Sequence, residues 1–173
     1  YGLWQASYAR RLTPVLGDLA QPRWGLTESQ FCDLAEQVDL IYHSGAWVNS
    51  IYPYEQLRAT NVEGTLTALR LAGLKRTKPL HFISTLAVFF DESLNERTVL
   101  WETDSPPVAP SLRGGYKQSK WVADGLVRQA MDRGLPAAIY RPARGTGHSQ
   151  SGILGDTNDL LTTLLKGCIL MGA

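Results

Sequence analysis

Two side chains in the segment Gly114-Gly115-Tyr116-Lys117-Gln118-Ser119-Lys120-Trp121 could carry proton chemistry together. Tyr116 and Lys120 stand four residues apart, at the start of a stretch that reads as a long helix. Residues at i and i+4 share one helical face. A nearby ammonium favours phenolate over phenol, so Lys120 is expected to lower the pKa of Tyr116. A tyrosine tuned in that way can pass a proton to or from a carbonyl oxygen near neutral pH. Alone the pair is weak, because two common residues at a common spacing arise often as a surface pair on a helix start. Its weight depends on what else the chain brings to the same place.

The segments that must position the pair alternate in type. Residues 12–16 form a short apolar run closed by Gly17-Asp18, which predicts a first strand. Thr27-Glu28-Ser29-Gln30 has the form of a capping box, with Phe31, Leu34 and Ala35 following at helical spacing. Residues 39–43 predict a second strand, ending at Ser44-Gly45-Ala46. Residues 54–75 carry helical periodicity through Leu57, Val62, Leu66, Leu69 and Leu71. Residues 80–84 predict a third strand closed by Thr85. Pro106, Pro107, Pro110 and the Gly114-Gly115 pair mark residues 90–114 as a long loop. Residues 116–133 predict a helix stopped by Gly134 and Pro136. Residues 137–140 predict a fourth strand, ended by Arg141-Pro142. Residues 159–170 predict a last helix, with Asp159 near its start and Gly172 past its end.

Strands alternating with helices predict an α/β fold, a doubly wound parallel sheet covered on both faces. In such sheets the ligand sits outside the carboxyl ends of the strands. The four predicted ends, Gly17-Asp18, Ser44-Gly45-Ala46, Ser84-Thr85 and Arg141-Pro142, would line one crevice.

The totals narrow the function classes. At 173 residues the chain has the size of one domain, and 44% hydrophobic with 19% charged residues is ordinary for a globular protein. A net charge of +1, with Lys and Arg scattered, gives no footprint for nucleic acid or an anionic membrane. Cys32 and Cys168 are far apart, without metal-ligand spacing, and are expected as buried thiols in a reducing compartment. No leader and no bilayer-length apolar run is evident, so a cytoplasmic location is expected.

Taken together, Gly17-Asp18-Leu19, residues 39–46, Asn61-Val62-x-Gly64-Thr65, Ser84-Thr85, Tyr116-x-x-x-Lys120 and Arg141-Pro142 resemble the extended short-chain dehydrogenase/reductase family. Finer features resemble its thioester reductase branch. They are Tyr42-His43-Ser44-Gly45-Ala46-x-Val48-Asn49, Tyr52-Pro53-Tyr54, Gly115-Tyr116-x-Gln118-Ser119-Lys120-Trp121-Val122-Ala123, Tyr140-Arg141-Pro142 with Gly147-His148-Ser149, and Lys166-Gly167-Cys168. Members of that branch terminate nonribosomal peptide synthetases, some polyketide synthases and carboxylic acid reductases.

The resemblance implies reduction, by NADPH, of an acyl or peptidyl thioester held on the phosphopantetheine of a carrier protein within a multidomain synthetase. The product would be an aldehyde, or an alcohol after a second hydride. It implies Thr85, Tyr116 and Lys120 as catalytic residues, with Lys120 also on the ribose hydroxyls. It implies cofactor contacts from Asp18, Leu19, Ser44, Gly45, Ala46, Asn61, Ser84, Pro142 and Arg144. No metal is implied. The chain departs from the family in one respect: no Gly-rich dinucleotide turn is present. Residue 1 is therefore expected to fall after the second strand of the full fold, and the C-terminal substrate subdomain is expected beyond Ala173. These 173 residues read as the middle of a reductase domain, expected to bind NADPH poorly by themselves.

Several residues keep a plainer reading beside the functional one. Ser84 competes with Thr85 for the catalytic hydroxyl, and Thr85 could instead satisfy a strand-end backbone group. Asp18 is either a turn residue or a partner of the adenine amino group. Asn61 inside a helix is expected as a buried hydrogen-bonding support. His43 and His148 are expected as structural, and Arg141 as the anchor of its loop through backbone or carboxylate groups. The five tryptophans are expected to pack in a core or between subdomains, although Trp47, with Tyr54, could line an acyl channel. Two other functions share the motif set: a sugar epimerase or ketone reductase of the same extended family, and a non-catalytic fragment serving as an interaction module.

Overall fold

The computed structural model describes residues 4–90, 99–108, 111–143, 145, 147–153 and 160–172. The chain divides into two compact units, one of Leu16–Ala143 and one combining Tyr1–Val15 with Arg144–Ala173. Arg144 and Asp159 lie outside the described residues, as do residues 91–98 and Pro110 of the long loop.

The larger unit is built on a three-stranded parallel sheet in the order β1 (Ile41–His43), β2 (Leu80–Ile83), β3 (Ala137–Tyr140). The register pairs His43 with Phe82 and Phe82 with Ile139, which sets the three strand ends side by side. Helix α1 (Glu28–Gln37) begins with the expected box: Thr27 Oγ1 accepts from the Gln30 N–H, and the Gln30 side chain accepts from the Thr27 N–H. Residues 54–73 run as α2 (Tyr54–Arg58), one π turn (Ala59–Glu63) and α3 (Gly64–Gly73). Helix α4 spans Gly115–Asp132 and ends at Gly134, whose φ of +95° suits a residue without Cβ.

The core lies on the sheet face that carries Leu80 and Phe82. Ala68, Leu71 and Ala72 of α3, Ala123 and Val127 of α4, and Phe31 and Ala35 of α1 close over it. This follows from the alternation of strand side chains and the apolar stripes of the helices. The opposite face carries a stack of rings, with Tyr42 against His81 at 4.6 Å and His81 against Tyr140 at 5.7 Å between centroids. The smaller unit holds a 3-10 helix, Ala6–Arg11, with Trp4 edge-on to Tyr8, and helix α5, Leu160–Met171, with Gly172 past its end at φ +74°.

The predicted first strand is absent. Residues 12–16 are irregular and exposed, and the sheet has three strands among the described residues. Pro14 removes a ladder donor from the run, and five residues do not hold a strand without a paired neighbour. Both cysteines are half-buried rather than buried. Trp4 and Trp101 are exposed and lie outside the core. No described helix is long and apolar enough to cross a membrane, and no described group of His, Cys, Asp or Glu could hold a metal ion.

Candidate active site

Helix α4 reaches the strand ends because two glycines let its first turn approach another backbone. Gly114 has a φ of +92°, and a Cβ on Gly115 would fall 2.4 Å from the Pro53 carbonyl carbon and the Tyr54 nitrogen. The helix start is thereby pinned against the Tyr52-Pro53-Tyr54 segment, one residue before Tyr116.

Lys120 lies one turn further along and is buried, with 3% of its surface exposed. Its ammonium donates to the Ile83 carbonyl at 2.7 Å and rests 4.4 Å from the centre of the Phe82 ring. That places it under the last residue of β2, two residues before Thr85. Burial pulls its pKa down to about 8, and the Asp124 carboxylate opposes the fall. Tyr116 behaves contrary to expectation: burial raises its pKa. Desolvation penalises the phenolate, while Lys120 donates a hydrogen bond to the Ile83 carbonyl.

The two candidate hydroxyls at the end of β2 separate. Ser84 is buried and donates to Asp124 Oδ2 at 2.7 Å, so its hydroxyl is committed to the protein interior. Thr85 is half-buried, and its Oγ1 accepts from the Ala87 N–H at 3.2 Å, which leaves the hydroxyl proton for another acceptor. Thr85 caps a 3-10 turn, Leu86–Phe89. A cavity of about 750 Å³ opens at the ends of β2 and β3, lined in part by Ile83, Leu86, Phe89, Trp101, Tyr140 and Pro142 but not by Thr85.

Asn61 joins the end of β1 to α4. Its Oδ1 accepts from the Trp47 N–H at 2.7 Å, and its Nδ2 donates to the Trp47 carbonyl at 3.1 Å and to Ser119 Oγ at 2.9 Å. Ser119 Oγ donates in turn to the Tyr116 carbonyl at 2.8 Å. Asn61 lies within the π turn, an irregularity that helices often carry at functional positions. The Asn61 carbonyl accepts from Thr65 Oγ1 at 2.7 Å, and His43 Nε2 meets the same hydroxyl oxygen at 3.0 Å. Because the Thr65 hydroxyl donates to the Asn61 carbonyl, its oxygen accepts from His43 Nε2–H. Burial first, and the Lys120 charge second, hold the His43 pKa down at about 4.

Leu19 reaches the end of β1 from the Gly17-Asp18 loop. A Cβ on Gly45 would lie 2.6 Å from Leu19 Cδ1, so a larger residue there would displace the end of the Leu19 side chain. Ser44 and Gly45 are exposed. Asp18 is also exposed, and its Oδ1 accepts from the Ala20 N–H at 2.9 Å, as in an Asx turn. At the end of β3, the Pro142 carbonyl accepts from the Leu86 N–H at 3.0 Å. Trp47 stands edge-on to Tyr52, 5.3 Å between centroids, and remains partly exposed. In the smaller unit His148 pairs with the Ser151 hydroxyl at 2.8 Å.

One residue escaped the sequence reading. Asp124 is fully buried in the middle of α4 and receives Ser84, both faces of the Arg141 fork, and Arg128. Burial would raise its pKa, but the hydrogen bonds from Arg141, Ser84 and Arg128, with the Arg141 charge, hold it below the usual carboxylate range. An acid four residues from both Lys120 and Arg128 inside a helix was the available signal.

The chain is similar to known proteins. Residues 1–173 match the family described as "Male sterility protein", an NAD-binding family. A linear gramicidin synthase from Brevibacillus parabrevis is 48% identical over 172 residues, which cover 99% of this chain and 3% of that protein. L-2-aminoadipate reductase from Schizosaccharomyces pombe is 41% identical over 182 residues, covering 99% of this chain and 13% of the enzyme. The crystal structure of the terminal R domain from the myxalamid PKS-NRPS biosynthetic pathway superposes with a TM-score of 0.94 at 49% identity, over 100% of this chain and 43% of that one. The chain therefore spans less than half the length of each of these proteins.

Proposed function

The chain belongs to the Male sterility protein family of NAD-binding domains, and on that premise we propose that it carries the catalytic centre of an NADPH-dependent thioester reductase. The substrate is an acyl or peptidyl group on the phosphopantetheine of a carrier protein, released as an aldehyde, and the setting is a multidomain synthetase. The relatives' names support this: one is a linear gramicidin synthase, one a reductase of aminoadipate, and one the terminal domain of a PKS-NRPS pathway.

The observation that carries the reading is the seat of Lys120. Its ammonium is buried on the Ile83 carbonyl at the strand end that also presents Thr85, one helical turn from Tyr116. An ammonium has three protons, and one of them is spent on Ile83. The donor set suits a ribose diol, with Ser44, Gly45 and Ala46 at the end of β1 and Pro142 at the end of β3 as further contacts. Asp18 is exposed as an adenine contact requires. Asn61 supports the first of these segments through the Trp47 backbone, and Ser84 acts from beneath Thr85. Arg144 keeps its assignment as a phosphate contact on the family resemblance alone. Residues 1–173 then form the middle part of a larger reductase domain.

When bound, the reduced nicotinamide supplies the hydride that the reduction needs. The chain's own residues handle the oxygen. The Thr85 and Tyr116 hydroxyls donate hydrogen bonds to the thioester carbonyl and stabilise the negative charge that develops there. Tyr116 begins as a protonated phenol, since burial raises its pKa, and it delivers that proton to the oxygen. Lys120 keeps a positive charge beside the site below about pH 8. The tetrahedral thiohemiacetal then collapses to aldehyde as its C–S bond breaks and its hydroxyl proton passes to the departing thiolate, so that one hydride and one proton yield the aldehyde and the free carrier thiol.

The test is carrier dependence in the intact protein. Oxidation of NADPH is expected with an acyl thioester on the carrier, more slowly with NADH. A sugar nucleotide or a free ketone reacting as well as the carrier-bound thioester would sink this reading in favour of another extended short-chain enzyme.

A further inference from the structure

We propose that Asp124 is a positioning residue for the reduction: its carboxylate ties the ends of β2 and β3 to α4, and so fixes Thr85 and Pro142 against the Tyr116–Lys120 face. The proposal rests on the catalytic reading of Thr85, Tyr116 and Lys120 given above.

Four hydrogen bonds converge on this one carboxylate. Ser84 Oγ reaches Oδ2 at 2.7 Å, Arg141 Nε reaches Oδ2 at 2.9 Å, and Arg141 Nη2 and Arg128 Nε each reach Oδ1 at 3.0 Å. They fill the accepting capacity of both oxygens. Ser84 immediately precedes Thr85, Arg141 immediately precedes Pro142, and Asp124 lies one turn beyond Lys120. The two strand ends also hold each other, through Ser84 N–H to the Tyr140 carbonyl at 2.7 Å and Leu86 N–H to the Pro142 carbonyl at 3.0 Å. Those bonds do not reach α4. From α4, the Asp124 carboxylate meets both strand ends at once, and Lys120 meets only that of β2.

A buried ion cluster of this kind is poor evidence for stability, because apolar residues of the same volume serve as well. What it supplies is register, since a bidentate guanidinium and a hydroxyl on one carboxylate accept little displacement. The same charge also reaches Lys120, whose proton it helps to retain.

Ser84→Ala, Asp124→Asn and Asp124→Glu in the intact protein separate the two effects. Turnover of a carrier-bound thioester and the pH titration of Lys120, followed by NMR of 13C-labelled lysine, are both read. Asp124→Asn is expected to lower kcat about tenfold to a hundredfold, as small misplacements of catalytic groups do, and to move the Lys120 titration to lower pH. Ser84→Ala is expected to lower kcat while the titration stays in place. Asp124→Glu is expected to restore the titration. Wild-type kcat in Ser84→Ala and Asp124→Asn would overturn the proposal. So would a folded Asp124→Asn whose Lys120 titrates as in the wild type. Should Asp124→Asn not fold, wild-type kcat in Ser84→Ala alone overturns it. A wild-type protein inert toward thioesters contradicts the functional reading instead, and the Lys120 titration still decides whether Asp124 acts on that ammonium.

Discussion

The Asn61 side chain and the Trp47 backbone bind each other twice, N–H to Oδ1 at 2.7 Å and Nδ2 to carbonyl at 3.1 Å, across 14 residues of sequence. This is the geometry of a strand rung, made by a side chain where no strand exists. It fixes the segment that follows β1. Asn61→Ala removes it and leaves the Trp47 groups and Ser119 Oγ to find other partners. The expected cost is on the order of 1–3 kcal/mol, read from the urea midpoint. Unchanged stability would show that the clamp carries no weight.

Thr85 and Ser84 differ in what their hydroxyls already do, and this orders their variants. Thr85→Val is expected to lower turnover about a hundredfold or more, the usual loss of an oxyanion donor. Ser84→Ala is expected to cost less, because the Ser84 hydroxyl is committed to Asp124. Steady-state kinetics of the two variants check this. The reverse order would transfer the donor role to Ser84.

Much of this arrangement is legible in the sequence, and the exceptions share a cause. Thr27 and Gln30 announce the start of α1 because a capping box is local. Residues 80–83, 115–132 and 137–140 declare themselves by apolar spacing and by Gly134 and Pro136. Residues 12–16 mislead because a strand is defined by its partner, which composition does not reveal. The Tyr116 pKa misleads in the same way. Helical spacing suggests that Lys120 acts on Tyr116, yet Lys120 donates to Ile83, 37 residues away. Asp124 is hidden because Ser84 and Arg141 lie 40 and 17 residues distant.

Two buried groups set the pH dependence, with opposite consequences. Turnover that needs protonated Lys120 is expected to fall as pH rises through about 8. His43 titrates at about 4 when folded against 6.5 ordinarily, so the unfolded chain binds the proton more readily between those values. Stability is therefore fully present above pH 6.5 and is lost as pH falls toward 4. At 1.36 kcal/mol per pKa unit, a difference of about 2.5 units corresponds to roughly 3 kcal/mol. Urea denaturation at pH 7 and pH 5, with the imidazole 15N shifts of His43, is expected to show about 2 kcal/mol of it. A His43 ring already protonated at pH 6 in the folded protein would contradict the assignment.

The central claim is that Tyr116 protonates the carbonyl oxygen of a carrier-bound thioester. Tyr116→Phe keeps the ring and its packing but removes the proton, so folding is expected to survive. The direct measurement is aldehyde formation with NADPH oxidation by the intact domain, wild type against Tyr116→Phe, on the same acyl carrier thioester. A fall of about a hundred- to ten-thousand-fold is expected, the range for loss of a general acid. Near-normal aldehyde formation by a folded Tyr116→Phe variant would contradict the account.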